Sequence, residues 1–151
     1  MDKKDNNKPP LNSTEMHERL KGDTFPDKWD DFIDNDIRVF FDEQIELKGK
    51  KRSDVIRRAN IPRTFGYQIM EGRRRGKRDY YLCLALAMSL DLRTTQRMMV
   101  MTGNAALYSM IKRDAAIIFA INKGYSLEKT YDFMVGLGEP PLDSGTGDKD
   151  E

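Results

Sequence analysis

The sequence has little with which to build catalytic chemistry. It holds one cysteine, Cys83, and one histidine, His17. A single cysteine excludes an internal disulfide, and a lone histidine in a polar tail leaves a Cys/His metal site short of ligands. A Ser-His-Asp arrangement would have to recruit that same tail histidine, which has no framework around it. No stretch alternates as a strand does, so no glycine-rich loop follows a strand to cradle a phosphate. The longest apolar run, Tyr80 to Met88, falls well short of a bilayer span, so no membrane role is expected. No carboxylate pair stands out as acid and base. Met98, Met99 and Met101 read as core fillers, not as a cofactor box, and Cys83 reads as a buried thiol. These absences argue against an enzyme and against a cofactor. With no signal-peptide pattern at the start, the chain fits a reducing, cytoplasmic setting.

Net positive charge is present, but in one place. Residues 48–78 contain twelve Lys/Arg and two acids, a net of +10, while the whole chain carries only +1. The rest therefore sums to −9. Residues 1–27 are rich in Lys, Asp, Asn, Pro and Thr, and residues 143–151 read DSGTGDKDE. Neither end has the apolar content to offset its ordering entropy, so both are expected to be disordered.

Between the ends the apolar spacing is helical throughout, and the predicted class is all-α. A first helix is expected over about 28–47, with Asp27, Asp30 and Asp31 at its positive end and Gly49 stopping it. A short helix follows over about 53–60, with Ser53 as a cap and Val55, Ile56 and Ala59 facing inward. Asn60 falls at a sharp turn, where a residue tolerant of positive φ is wanted. The next helix opens at Pro62, whose missing N–H costs nothing there, and stops at Gly72. Gly66 in its middle costs about 1 kcal/mol against alanine, which points to close packing on a neighbour or to a nearby ligand. Further helices are expected over about 78–90, 92–101, 111–123 and 127–137.

The last four helices repeat. A shift of 35 residues lays Arg78–Leu107 over Arg113–Leu142 with nine of thirty positions identical, among them the opening Arg78/Arg113 and Asp79/Asp114. Each unit reads as an αα-hairpin, and two such units bury a face that neither can bury alone. Residues 110–142 are also a candidate surface for a dimer or a protein partner.

Helix, tight turn, helix and basic loop together make a helix-turn-helix that can place its second helix in the major groove. The side chains exposed near the start of that helix are Arg63, Thr64, Tyr67 and Gln68. Arginine can bridge a guanine edge and glutamine an adenine edge, each good pair giving about 1–3 kcal/mol of discrimination. Arg52, Ser53, Arg73, Arg74, Arg75, Lys77 and Arg78 are the expected phosphate contacts, adding affinity without sequence choice. With six to ten phosphate contacts, affinity would fall about 10³–10⁵-fold between 50 and 200 mM salt. Phe65 and Tyr67 leave open an RNA-binding reading through base stacking, though packing is the simpler role for both.

The segment KKRSDVIRRANIPRTFGYQIMEGRRRGKRD resembles the helix-turn-helix of the phage-repressor-like (XRE) family. RTFGYQIMEG (Arg63 to Gly72), ALYSMIKRDAAIIFAINKGYSLEKT (Ala106 to Thr130) and GEPPL (Gly138 to Leu142) resemble an all-helical, Firmicutes-type subgroup of it. The resemblance spans about Phe32 to Leu142. It implies a lambda-repressor-like five-helix DNA-binding domain over 28–104, extended by a C-terminal helical hairpin over 105–142. It also implies that Arg63, Thr64 and Gln68 touch bases and that Arg52 meets a phosphate. Pro62, Gly66 and Met70 depart from the family pattern, which has a small polar residue, an aliphatic residue and often Glu there. The expected function is a sequence-specific, double-stranded DNA-binding transcriptional regulator, homodimeric and nucleoid-associated when bound. The alternative is a protein-interaction module that keeps the fold.

Overall fold

The structure is a computed structural model and describes residues 13–26, 32 and 36–145. The described residues form eight helices and no strand, as the all-α reading expects. The chain divides into two compact units, Met1–Asn35 and Asp36–Glu151.

Within the stretch expected to be disordered, the first unit contains α1, Ser13–Arg19, with an exposed Lys21–Glu18 ion pair after it and a stacked Phe25–Phe32 pair 5.9 Å apart. The expected roles of Asp27, Asp30 and Asp31 at a helix start lie outside the described residues.

In the second unit α2 runs over Ile37–Lys48, nine residues later than the predicted start at 28. Asp36 caps it by accepting a bond from the Val39 N–H, and Gly49 (φ 63°) ends it. Aspartate is favoured at an N-cap because its carboxylate satisfies an N–H that has no helical partner. α3 is Arg52–Arg58 and α4 is Arg63–Met70. Ser53 is not the cap of α3: it lies inside the helix, and Lys51 stands at the cap position with no side-chain bond. Pro62 takes the position just before α4, one earlier than expected.

The turn between α3 and α4 behaves as its sequence requires. Asn60 has φ 59° and Ile61 is buried behind it. Gly66 answers to packing: a Cβ there would stand 2.6 Å from Ile56 Cγ2 and 2.9 Å from Cγ1. The bare backbone of α4 lies against the Ile56 side chain of α3, and that closeness offsets the helix-propensity cost.

α5 (Arg78–Met88) and α6 (Leu92–Met101) form the first hairpin, and α7 (Lys112–Lys123) and α8 (Leu127–Gly136) the second. α5 is buried along nearly its whole length and forms the centre of the core, with α2, α3 and α6 packed on it. Cys83, Met98 and Met99 are fully buried there. Burial drives the Cys83 thiol pKa well above its usual value, which keeps it protonated and inert.

The repeat seen in the sequence is a pseudo-two-fold. Arg78 donates to both carboxylate oxygens of Asp114, at 3.1 and 3.0 Å. Arg113 donates to both oxygens of Asp79, at 3.2 and 2.9 Å. The backbone N–H of Tyr108 donates to Asp114, and that of Asp143, its repeat equivalent, to Asp79. Each arginine also reaches the carbonyls 27 and 28 residues ahead of it, Ala105 and Ala106 for Arg78, Pro140 and Pro141 for Arg113. Each hairpin thus supplies an arginine to the other's aspartate, the exchange expected of a self-complementary two-fold contact. α5 packs on α8 and α6 on α7 in the same crossed sense.

The expected C-terminal tail is not wholly free. Asp143 pairs with Lys77, Ser144 is buried and accepts from Asn60 Nδ2, and Gly145 packs against the Tyr80 hydroxyl.

Candidate nucleic-acid interface

α4 is held by its inner side. Gly66, Ile69 and Met70 are buried against α3 and the core, which turns the start of the helix outward. Arg63 and Thr64 are exposed, and Tyr67 and Gln68 are half-buried. The Arg63 guanidinium lies 5.9 Å from the Tyr67 ring centre. Such a cation over an aromatic face is attracted by the ring quadrupole and keeps most of its charge available to solvent. Phe65 packs edge-on against Tyr80 at 5.4 Å, with Arg74 4.8 Å above its ring and Lys77 beside Tyr80. Packing is therefore the role of Phe65, leaving no open stacking face there.

The expected phosphate contacts fall into two groups. Arg52 is a structural clasp: it pairs with Asp42 of α2 and with Glu71 just after α4. Arg78 is held by Asp114 and two carbonyls, with its side chain 27% exposed. Both are tied into the fold, and a guanidinium whose donors are taken up there has few left for a phosphate. Arg73, Arg74, Arg75, Lys77 and Ser53 are exposed. Arg73 is also paired with Glu71 and Lys77 with Asp143, while Arg75 donates to the Gly103 carbonyl at 3.0 Å.

The fold has brought acids from elsewhere in the sequence (Asp42, Asp114 and Asp143) to the basic segment. Arg52, Lys77 and Arg78 face those three, and Arg57 and Arg73 face the segment's own Asp54 and Glu71, so five of its twelve cations face a carboxylate. Among the described residues Lys50, Lys51, Arg58, Arg63 and Arg74 have no carboxylate partner. Arg58, exposed at the end of α3 and so beside the turn into α4, was not singled out from the sequence, where it is one of many cations.

Among the described residues no three His, Cys, Asp or Glu side chains are grouped to hold a metal ion, and no helix is long and apolar enough to cross a membrane. Compared with family models, with curated proteins and with solved structures, the chain matches none.

Proposed function

We propose that this chain is a sequence-specific, double-stranded DNA-binding transcriptional regulator of the phage-repressor-like kind. α2 to α6 form its DNA-binding domain, α4 is the reading helix, and α7 and α8 extend the domain. The observation that carries this reading is the outward first turn of α4, with Arg63 and Thr64 exposed and Gln68 one turn on. It is bordered in the chain by the unpaired cations Arg58 and Arg74. Arg63 and Gln68 bridge base edges, and Thr64 and Tyr67 fill the groove beside them. Arg58, Arg74, Lys50 and Lys51 meet phosphates. The protein works in the cytoplasm, bound to the nucleoid, as a homodimer on paired half-sites about 34–36 Å apart, without catalysis or cofactor.

Binding-site selection from a randomised duplex pool, followed by anisotropy titration, tests the reading. A selected duplex is expected to bind far tighter than bulk DNA at about 150 mM salt. Gln68→Ala relaxes base choice at one position, and no preference for any duplex would sink the proposal. With four or five phosphate contacts instead of six to ten, affinity falls about 10²–10³-fold between 50 and 200 mM salt.

A second reading, a protein-interaction module on the same fold, is favoured by one observation: the exposed aromatic face of α7 and α8.

A further inference from the structure

The two hairpins match in backbone and interlock but differ in what covers them. Over the first lies α2. Lys48 at its end donates to the Ser89 carbonyl in the α5–α6 turn at 3.2 Å, and Phe41 shares the core with Leu84, Leu90 and Met98. Leu84 and Met98 are 0% exposed and Leu90 is 3% exposed. The repeat places Phe119, Tyr125 and Phe133 at these three positions of the second hairpin. Phe119 is 43% exposed and the other two are half-buried. The three rings pack on one another, Phe119 on Phe133 at 5.2 Å, Tyr125 on Phe133 at 5.8 Å and Phe119 on Tyr125 at 6.2 Å. The second hairpin thus exposes, enlarged into an aromatic cluster, the face that α2 covers on the first.

We infer that this face is a docking groove for an acidic amphipathic helix of a partner protein. The shape argument comes from the repeat: the equivalent face accepts an amphipathic helix that buries Phe40 and Phe41 and carries Asp42, Glu43 and Glu46. The charge argument comes from the rim. Lys123 lies 5.4 Å from the Phe119 ring centre and Lys129 lies 4.6 Å from that of Tyr125. Lys123 replaces the buried Met88 of the first hairpin. Apolar anchors one turn apart enter between α7 and α8, and carboxylates beside them meet the two lysines. A second copy of this chain is disfavoured on the same face, because two such surfaces would bring four lysines together.

The test uses the full chain and no DNA, so its outcome is separate from that of the DNA-binding reading. The probe is a labelled, end-capped peptide of residues 36–48, with a control carrying Asp42→Lys, Glu43→Lys and Glu46→Lys. The acidic peptide is expected to bind at least about tenfold tighter than the control. Phe119→Ser, with an unchanged melting curve, weakens it at least about tenfold, and Lys123→Glu with Lys129→Glu inverts the ranking of the two peptides. Equal binding of both peptides, or indifference to Phe119→Ser, overturns the inference. A dimer in sedimentation that Phe119→Ser abolishes gives the face to a second copy instead. Oligouridylate binding lost in the same variant gives it to single-stranded RNA; either result also overturns it.

Discussion

Removing one carboxylate from the hairpin interlock provides a sharp test of the fold. Asp114 is 5% exposed, accepts two bonds from Arg78 and one from the Tyr108 N–H, and joins the two hairpins. Asp114→Ala leaves a guanidinium and an amide without their acceptor. Breaking a buried pair by removing one partner costs about 3–5 kcal/mol. The Arg78 side chain is 27% exposed and keeps two carbonyl partners, so water and backbone recover part of that loss. A net destabilisation of about 2–4 kcal/mol is expected, a fall in Tm of about 10 °C for a domain of this size. The repeat supplies an internal control. Asp79→Ala removes the equivalent carboxylate, whose side chain is 17% exposed against 6% for Asp114, and should cost less. Urea unfolding of the two single variants, of Arg78→Ala and of Arg78→Ala with Asp114→Ala gives a double-mutant cycle, with an expected coupling of about 1.5–3 kcal/mol. Coupling below about 0.5 kcal/mol, or an Asp114→Ala variant within about 1 kcal/mol of the parent, would refute the claim that the exchanged pairs hold the hairpins together.

Acid should act on the same pair. Burial alone would raise the Asp114 pKa, but bonds from Arg78 and the Tyr108 N–H outweigh it and hold it below the usual value. Its stabilisation is therefore complete above the unfolded carboxyl's pKa of about 3.8 and is lost as pH falls below that toward the folded value; thermal melts between pH 3 and pH 6 should show a smaller acid loss in Asp114→Asn than in the parent. Gly66→Ala is expected to destabilise by about 1–3 kcal/mol in urea titration, despite alanine's better helix propensity, because overpacking against Ile56 outweighs it. Ile56→Ala and Gly66→Ala together should cost less than the sum of the two single variants, because the shortened side chain makes room for the alanine Cβ. On the proposed DNA-binding reading Arg74→Ala and Arg78→Ala should part company: the first weakens DNA binding and flattens the salt slope with Tm nearly unchanged, while the second lowers Tm and leaves the salt slope nearly as it was.

Much of the local structure could be read from residue chemistry. Asn60 was placed at positive φ because few other residues tolerate it, and it adopts φ 59°. Gly66 was read as a close approach, and the approach is to Ile56. The repeat was visible as nine identities in thirty, but not its symmetry. Two stacked units and two exchanged units leave the same periodicity, and only the crossed Arg78–Asp114 and Arg113–Asp79 pairs distinguish them. The start of α2 was placed too early because acids and aromatics over 27–36 continue its pattern; Asp36, with its bond to Val39, is the cap. The basic segment shows a related limit. Net charge along a sequence counts neighbours in the chain, whereas Asp42, Asp114 and Asp143 reach the segment only through the fold.

That pairing changes what kind of interface the segment can make. Twelve free cations would give a broad, salt-sensitive field with little positional information. In the folded chain Arg52 joins α2 to the end of α4, Arg75 ties the basic loop to Gly103, and Arg78 anchors the far end of the loop in the interlock. Gly76 fits closely over Ile69, where a Cβ would stand 2.8 Å from Cδ1. The loop is therefore fixed at its middle and its end, and Arg74, stacked on Phe65, is carried by α4 itself. Cations used as struts add nothing to the electrostatic attraction, but they set where the unpaired ones stand relative to Arg63 and Gln68. On the proposed DNA-binding reading, modest phosphate affinity with fixed geometry would favour discrimination among duplexes, because base contacts would then supply a larger share of the total binding energy.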